Sequence, residues 1–126
     1  MLEKFTEYNP LNLKAFEDGK EIDLMTYRYA VPEGVVKKGI VLNLAGYSEY
    51  CEYSAYFLKK YAENGYEVLA VDLRGFGNSG GTRGFLNSCA TLYNDIELFI
   101  NGVITKYEID PKKTPIFLHG TSFGGI

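Results

Sequence analysis

Ser122 is the residue of this chain whose surroundings best suit covalent chemistry. It sits in Gly120-Thr121-Ser122-Phe123-Gly124, a Gly-x-Ser-x-Gly pattern that follows the apolar stretch Ile116-Phe117-Leu118. A serine hydroxyl attacks a carbonyl only when a base takes its proton and donors stabilise the oxyanion that forms. A serine held on a sharp turn between a buried strand and a helix meets the geometric part of that demand. Glycine at 120 and 124 has a physical reason there, because side chains flanking a strained turn would collide. The oxyanion needs two donors. One candidate is the backbone N–H of Phe123, just after the serine. The other is expected from the loop after the first buried parallel strand, where Ala45-Gly46-Tyr47 makes the N–H of Tyr47 the candidate.

A second stretch invites a different chemistry. Gly75-Phe76-Gly77-Asn78-Ser79-Gly80 fits the dinucleotide pattern Gly-x-Gly-x-x-Gly after an apolar strand, and Glu97 stands about 20 residues on. That pattern works when its last glycine opens a helix whose N-terminus holds the pyrophosphate. Here the loop runs on to Gly84 and the next helix begins near Ser88. The loop therefore reads as a tight turn, with Gly75 and Gly77 letting it fold and Asp72 and Arg74 bracing it by hydrogen bonds. Arg74 and Arg83 are taken as structural rather than as substrate ligands. No Gly-Lys-Ser/Thr phosphate loop occurs, and Cys51 and Cys89 make neither a metal pattern nor a disulfide framework. No cofactor and no metal are called for.

The elements around these residues follow from apolar spacing. Asp18-Gly19 is a hairpin turn signal joining Leu13–Phe16 to Ile22–Val31, so a hairpin is expected over 13–31. Residues 39–45 and 67–72 are short, almost wholly apolar runs, as in strands covered on both faces. Residues 114–118 make a third. Between them, a helix is expected over about 51–64, with Tyr53, Tyr56, Phe57 and Tyr61 on one side and Gly65 beyond its end. A second is expected over about 88–107, with the stripe Leu92, Ile96, Phe99, Ile100, Val103 and Tyr107. A hairpin followed by strand-helix-strand-helix-strand argues for an α/β sheet, mostly parallel, with flanking helices.

Bulk properties narrow the function classes. The 126 residues suffice for one ordinary domain, and 46% hydrophobic with 23% charged residues is a globular composition. The net charge is -3 without any Lys/Arg block, which speaks against a nucleic-acid partner. The N-terminus lacks a signal-peptide pattern and no apolar run reaches a membrane span, so a cytoplasmic location is the expectation.

Together the motifs resemble the α/β-hydrolase fold, in its monoacylglycerol lipase and lysophospholipase-like branch, grouped with the serine aminopeptidase S33 hydrolases. Asn43-Leu44-Ala45-Gly46-Tyr47-Ser48-Glu49-Tyr50 stands for the oxyanion segment (residues 39–50 with its strand). Tyr53 to Gly65 stands for the first helix. Asp72-Leu73-Arg74-Gly75-Phe76-Gly77-Asn78-Ser79-Gly80-Gly81 opens the glycine loop of residues 72–84 and resembles the family's Asp-x-Arg-Gly-x-Gly-x-Ser-x-Gly. Residues 120–124 are the nucleophile elbow. The resemblance covers nearly the whole chain, but only the N-terminal half of the family's domain.

It implies a serine hydrolase that cleaves carboxylic esters, with a monoacylglycerol or lysophospholipid as the expected substrate. A small acyl ester is then the partner, with peripheral membrane contact through a lid downstream of the elbow. The chain departs from the family at Ala45, where His-Gly is usual, at Tyr50, where a His is usual, and at Thr121, where His usually precedes the serine. The family's triad runs Ser, Asp, His, so no residue of 1–126 carries over as triad Asp or His. His119, the single histidine, lies three residues before Ser122 and reads as a packed or capping side chain. Residues 1–126 are accordingly expected to be an incomplete domain, part of a longer protein and inactive alone. The alternative is a non-catalytic remnant or binding module.

Overall fold

The computed structural model describes residues 6–44, 55–84 and 88–120. Its centre is a five-stranded sheet in the order β1-β4-β6-β5-β7, comprising β1 (Thr6–Tyr8), β4 (Thr26–Tyr29), β5 (Gly39–Leu44), β6 (Tyr66–Val71) and β7 (Ile116–Gly120). β6, β5 and β7 run parallel, while β4 is antiparallel to β6 and β1 to β4. Strands β2 (Leu13–Glu17) and β3 (Lys20–Leu24) form a separate antiparallel hairpin. Two described helices, α1 (Ala55–Glu63) and α2 (Cys89–Lys106), connect the parallel strands.

The two faces of the sheet build two cores. Ile40, Leu42, Leu44, Leu69 and Val71 face α2 and the hairpin, meeting Leu13, Ala15, Phe99 and Val103. Val41, Val68 and Ala70 face α1, meeting Tyr27, Leu58 and Ala62. Both faces being covered, all six residues of β5 are buried, which is why its sequence is a continuous apolar run rather than an alternation. Gly102 within α2 marks the contact with the hairpin: a Cβ there would lie 3.0 Å from Leu13 Cδ2.

Three expectations change. The hairpin expected over 13–31 is shorter, because its second half is two strands belonging to different sheets. At Met25 the backbone N–H donates to Ser79 Oγ (2.7 Å) and the carbonyl accepts from Asp72 N–H (2.9 Å), so the chain leaves β3 and enters the main sheet as β4. The strand expected over 114–118 lies at Ile116–Gly120, because Thr114 N–H closes a turn on Asp110 O (2.9 Å) and Pro115 has no N–H to offer a ladder.

The aromatic side expected to be the inner face of α1 is largely its outer one. Tyr56 and Phe57 are both 67% exposed, while Leu58 and Ala62, four residues apart, are buried with Tyr61 packed beside them. Small aliphatic residues let the helix lie close to the sheet, and Tyr53 lies outside the described residues. The second helix agrees with its stripe, Leu92, Phe99 and Val103 being buried, and Ser88 caps it with its Oγ accepting from Thr91 N–H.

Candidate active site

The C-terminal ends of the parallel strands assemble in one row. Leu44, the last residue of β5, is the register partner of Val71 on β6 and of Gly120 on β7. Adjacent strands lie about 4.8 Å apart, so three chain segments leave the sheet side by side. They are the segment carrying Tyr47, the glycine loop from Asp72, and the segment carrying Ser122. α1, the helix after β5, covers one face of the sheet and α2, the helix after β6, covers the other. In open α/β sheets ligands bind at such a point, outside the carboxyl ends of the strands. Tyr47, Ser122, Phe123 and Gly124 themselves lie outside the described residues, as does Tyr50.

The glycine loop is described in full from Asp72 to Gly84, and many of its amides are engaged within the protein. Gly75 N–H donates to Gly80 O (2.8 Å), Ser79 N–H to Phe76 O (3.1 Å), Gly80 N–H to Asp23 O (2.6 Å) and Gly84 N–H to Gly75 O (2.9 Å). A pyrophosphate cradle would need such donors turned outward. Gly75 and Gly77 take positive φ of 81° and 54°, values that a Cβ disfavours.

Asp72 is fully buried and accepts from Tyr27 O–H (2.8 Å) and Asn78 N–H (3.0 Å). Ser79 O–H donates to the Asp72 carbonyl (2.5 Å). Arg74 forms a fork with Asp95 of α2, Nε to Oδ2 at 2.6 Å and Nη2 to Oδ1 at 2.8 Å, and its Nη1 donates to Phe16 O (2.9 Å). The hydrogen bond to Asp95 holds the guanidinium pKa above its ordinary range. Arg83 donates to Gly77 O, Ser79 O and Gly80 O. Thr82 donates through N–H and Oγ–H to the Glu17 carboxylate, lowering its pKa. The loop is thus tied to the sheet, to α2 and to the hairpin.

The sequence reading missed Asp95, Tyr27 and Asn43 as partners. Asp95 carried a usable signal: it falls on the apolar stripe of α2, three residues after Leu92 and four before Phe99, where a carboxylate needs a buried partner. Asn43 carried the same kind of signal within the apolar run of β5. His119 is half-buried; its Nδ1–H donates to Asn43 Oδ1 (2.7 Å) and its ring meets that of Tyr61 edge-on.

A mixed, largely parallel sheet flanked by helices, with an antiparallel hairpin, defines an α/β-hydrolase fold. A family model described as serine aminopeptidase, S33, matches residues 36–126, and the chain belongs to that family. Among solved structures it is similar to a soluble variant of monoglyceride lipase from Saccharomyces cerevisiae in complex with a substrate analog. The TM-score is 0.69 and the identity 27%, over 90% of this chain and 36% of the lipase. It also resembles a thioesterase domain from the curacin biosynthetic pathway, with TM-score 0.60 and 25% identity over 94% of this chain and 38% of that one. A thermostable carboxyl esterase from Bacillus coagulans, in complex with glycerol, shares the fold at TM-score 0.68 and 20% identity, over 94% and 37% of the two chains. The 126 residues therefore span little more than a third of these structures. No match is found among curated proteins. Among the described residues no helix is long and apolar enough to cross a membrane.

Proposed function

We propose that the protein containing these residues is a serine hydrolase that cleaves carboxylic esters, with a monoacylglycerol or lysophospholipid as substrate. Ser122 Oγ attacks the ester carbonyl, and the N–H groups of Phe123 and Tyr47 hold the oxyanion. A His and an Asp later in the protein, in the family's Ser-Asp-His order, move the proton. Asp72, Arg74, Gly75 and Gly77 hold the glycine loop beside this site without touching the reacting atoms.

The observation that supports this reading is the register of Leu44 with Gly120. Two pieces separated by some 75 residues in sequence leave the sheet from neighbouring strands, at the edge where an oxyanion loop and a nucleophile elbow have to meet. The likeness to a monoglyceride lipase at 27% identity supports the choice of an acylglycerol-type substrate.

The test is an activity-based fluorophosphonate probe on the full-length protein, followed by hydrolysis assays with a monoacylglycerol, a lysophospholipid and a short p-nitrophenyl ester. Labelling that disappears in Ser122→Ala, with turnover of a lipid monoester, is the expected result. An unlabelled wild-type protein sinks the catalytic reading in favour of a binding role.

A further inference from the structure

The face of the sheet under α1 carries a polar pair, Asn43 and His119, in an apolar setting. Asn43 is the fifth of six consecutive buried residues in β5 and is itself 4% exposed. A buried amide is tolerated when it is hydrogen-bonded. Its register partner on β7 is His119, and the two side chains meet, His119 Nδ1–H donating to Asn43 Oδ1 at 2.7 Å. The imidazole also stands edge-on to Tyr61 of α1, with ring centroids 5.8 Å apart. One contact cluster therefore joins β5, β7 and α1.

Its place along the strands gives it leverage. Asn43 is one residue from the end of β5 and four before Tyr47, while His119 is one residue from the end of β7 and three before Ser122. The side-chain bond from His119 joins the two strand ends on the α1 face.

We propose that Asn43 and His119 are a positioning pair, which sets the relative placement of the two strand ends and, through them, of the Tyr47 N–H and the Ser122 hydroxyl. The proposal rests on the functional reading above. His119 then acts on catalysis through geometry and not as the proton acceptor. Catalytic groups must be held to within about 0.5 Å, and a 1 Å displacement costs about 100-fold in rate, so a loose strand end is felt in kcat.

The test uses the full-length protein, a p-nitrophenyl ester and the fluorophosphonate probe. His119→Phe keeps the ring against Tyr61 but removes the donor, and Asn43→Leu removes the acceptor at nearly the same volume. Each is expected to lower kcat about 10- to 100-fold with KM within about threefold. The double variant should lose no more than the worse single one, the signature of a shared interaction. His119→Asn, whose amide N–H reaches close to where Nδ1 stood, should return kcat to within about fivefold of wild type.

Wild-type kcat in both single variants overturns the pair. So does a His119→Asn protein as inactive as Ser122→Ala, which would make His119 the base. Should the apolar variants fail to fold, Asn43→Ser, too short to bridge, must lose more kcat than His119→Asn, and the reverse order overturns the proposal. A wild-type protein that neither labels nor hydrolyses overturns the functional reading and the pair with it. A labelled wild type with unaffected variants overturns the pair alone.

Discussion

Leu44 and Gly120 are register partners at the ends of the parallel strands β5 and β7. With Val71 paired to Leu44 on its other side, the row Val71–Leu44–Gly120 sets three strand ends next to one another. Nothing in the chain order requires this, since β6 and α2 intervene between β5 and β7. It follows from the crossover that carries the chain from β6 past β5 to its far side.

Two serines separate catalysis from stability. Ser122→Ala in the full-length protein should abolish fluorophosphonate labelling and lower ester turnover by about 10⁴-fold or more. Ser88→Ala should label at the wild-type rate yet lose about 1 kcal/mol of stability, because Ser88 Oγ caps α2 by accepting from Thr91 N–H at 3.2 Å. In-gel fluorescence and urea denaturation read the two effects. Equal labelling of wild type and Ser122→Ala would remove Ser122 from the mechanism.

The fork between Arg74 and Asp95 is buried, with side-chain exposures of 9% and 5%. Asp95→Asn leaves the guanidinium without its counter-charge and should cost about 3 kcal/mol or more. Arg74→Lys should also destabilise, because an ammonium cannot reproduce two parallel bonds to one carboxylate. Replacing both residues with apolar ones of similar volume should recover much of the loss. Urea midpoints of the four proteins test this, and a double variant no better than Asp95→Asn would show that the fork does more than neutralise itself.

Acid should loosen the glycine loop from the hairpin. The hydrogen bonds from Thr82 hold the Glu17 carboxyl below its ordinary pKa. The folded chain therefore binds this proton less readily than the unfolded chain does. The contribution of Glu17 to stability is complete above about pH 4.3, the unfolded value, and is lost as pH falls through the lower folded value. Glu17→Gln should trail wild type near neutral pH and draw level as the pH drops below about 4. A gap that stays constant across that range would show that the clamp does not depend on the charge.

Two glycines that look alike in the sequence should respond oppositely to alanine. Gly65 has φ of 97°, and a Cβ there would lie 2.5 Å from the carbonyl oxygen of Val36. Gly65→Ala should lose more than about 1 kcal/mol, since neither the backbone nor its neighbour can give way cheaply. Gly102 lies inside α2, and its Cβ would meet the flexible tips of Leu13 at 3.0 Å and Leu11 at 3.7 Å. There the helix propensity of alanine, about 1 kcal/mol better than glycine, offsets the crowding, so Gly102→Ala should be near neutral or stabilising. Thermal melts of both variants decide the matter.

Local pattern was a good guide wherever one residue type answers one physical need. The apolar runs of β5 and β6, the stripe of α2 and the Asp18-Gly19 turn were all legible, because burial on both faces, helical periodicity and turn geometry each leave a mark a few residues long. The Gly-x-Ser-x-Gly and Asp-x-Arg-Gly patterns were enough to point to the hydrolase family that the matched residues 36–126 show.

What pattern could not show depends on which distant elements meet. The break at Met25 exists because Ser79 and Asp72, far along the chain, take up its backbone groups. Tyr56 and Phe57 point outward although they are among the most apolar residues of α1, because the helix lies close to the sheet through Leu58 and Ala62 instead. Arg74 finds Asp95, and His119 finds Asn43, across 21 and 76 residues of chain. Residue types and their spacing thus named the chemistry, while long-range pairing, which no local window contains, chose the partners that hold it in place.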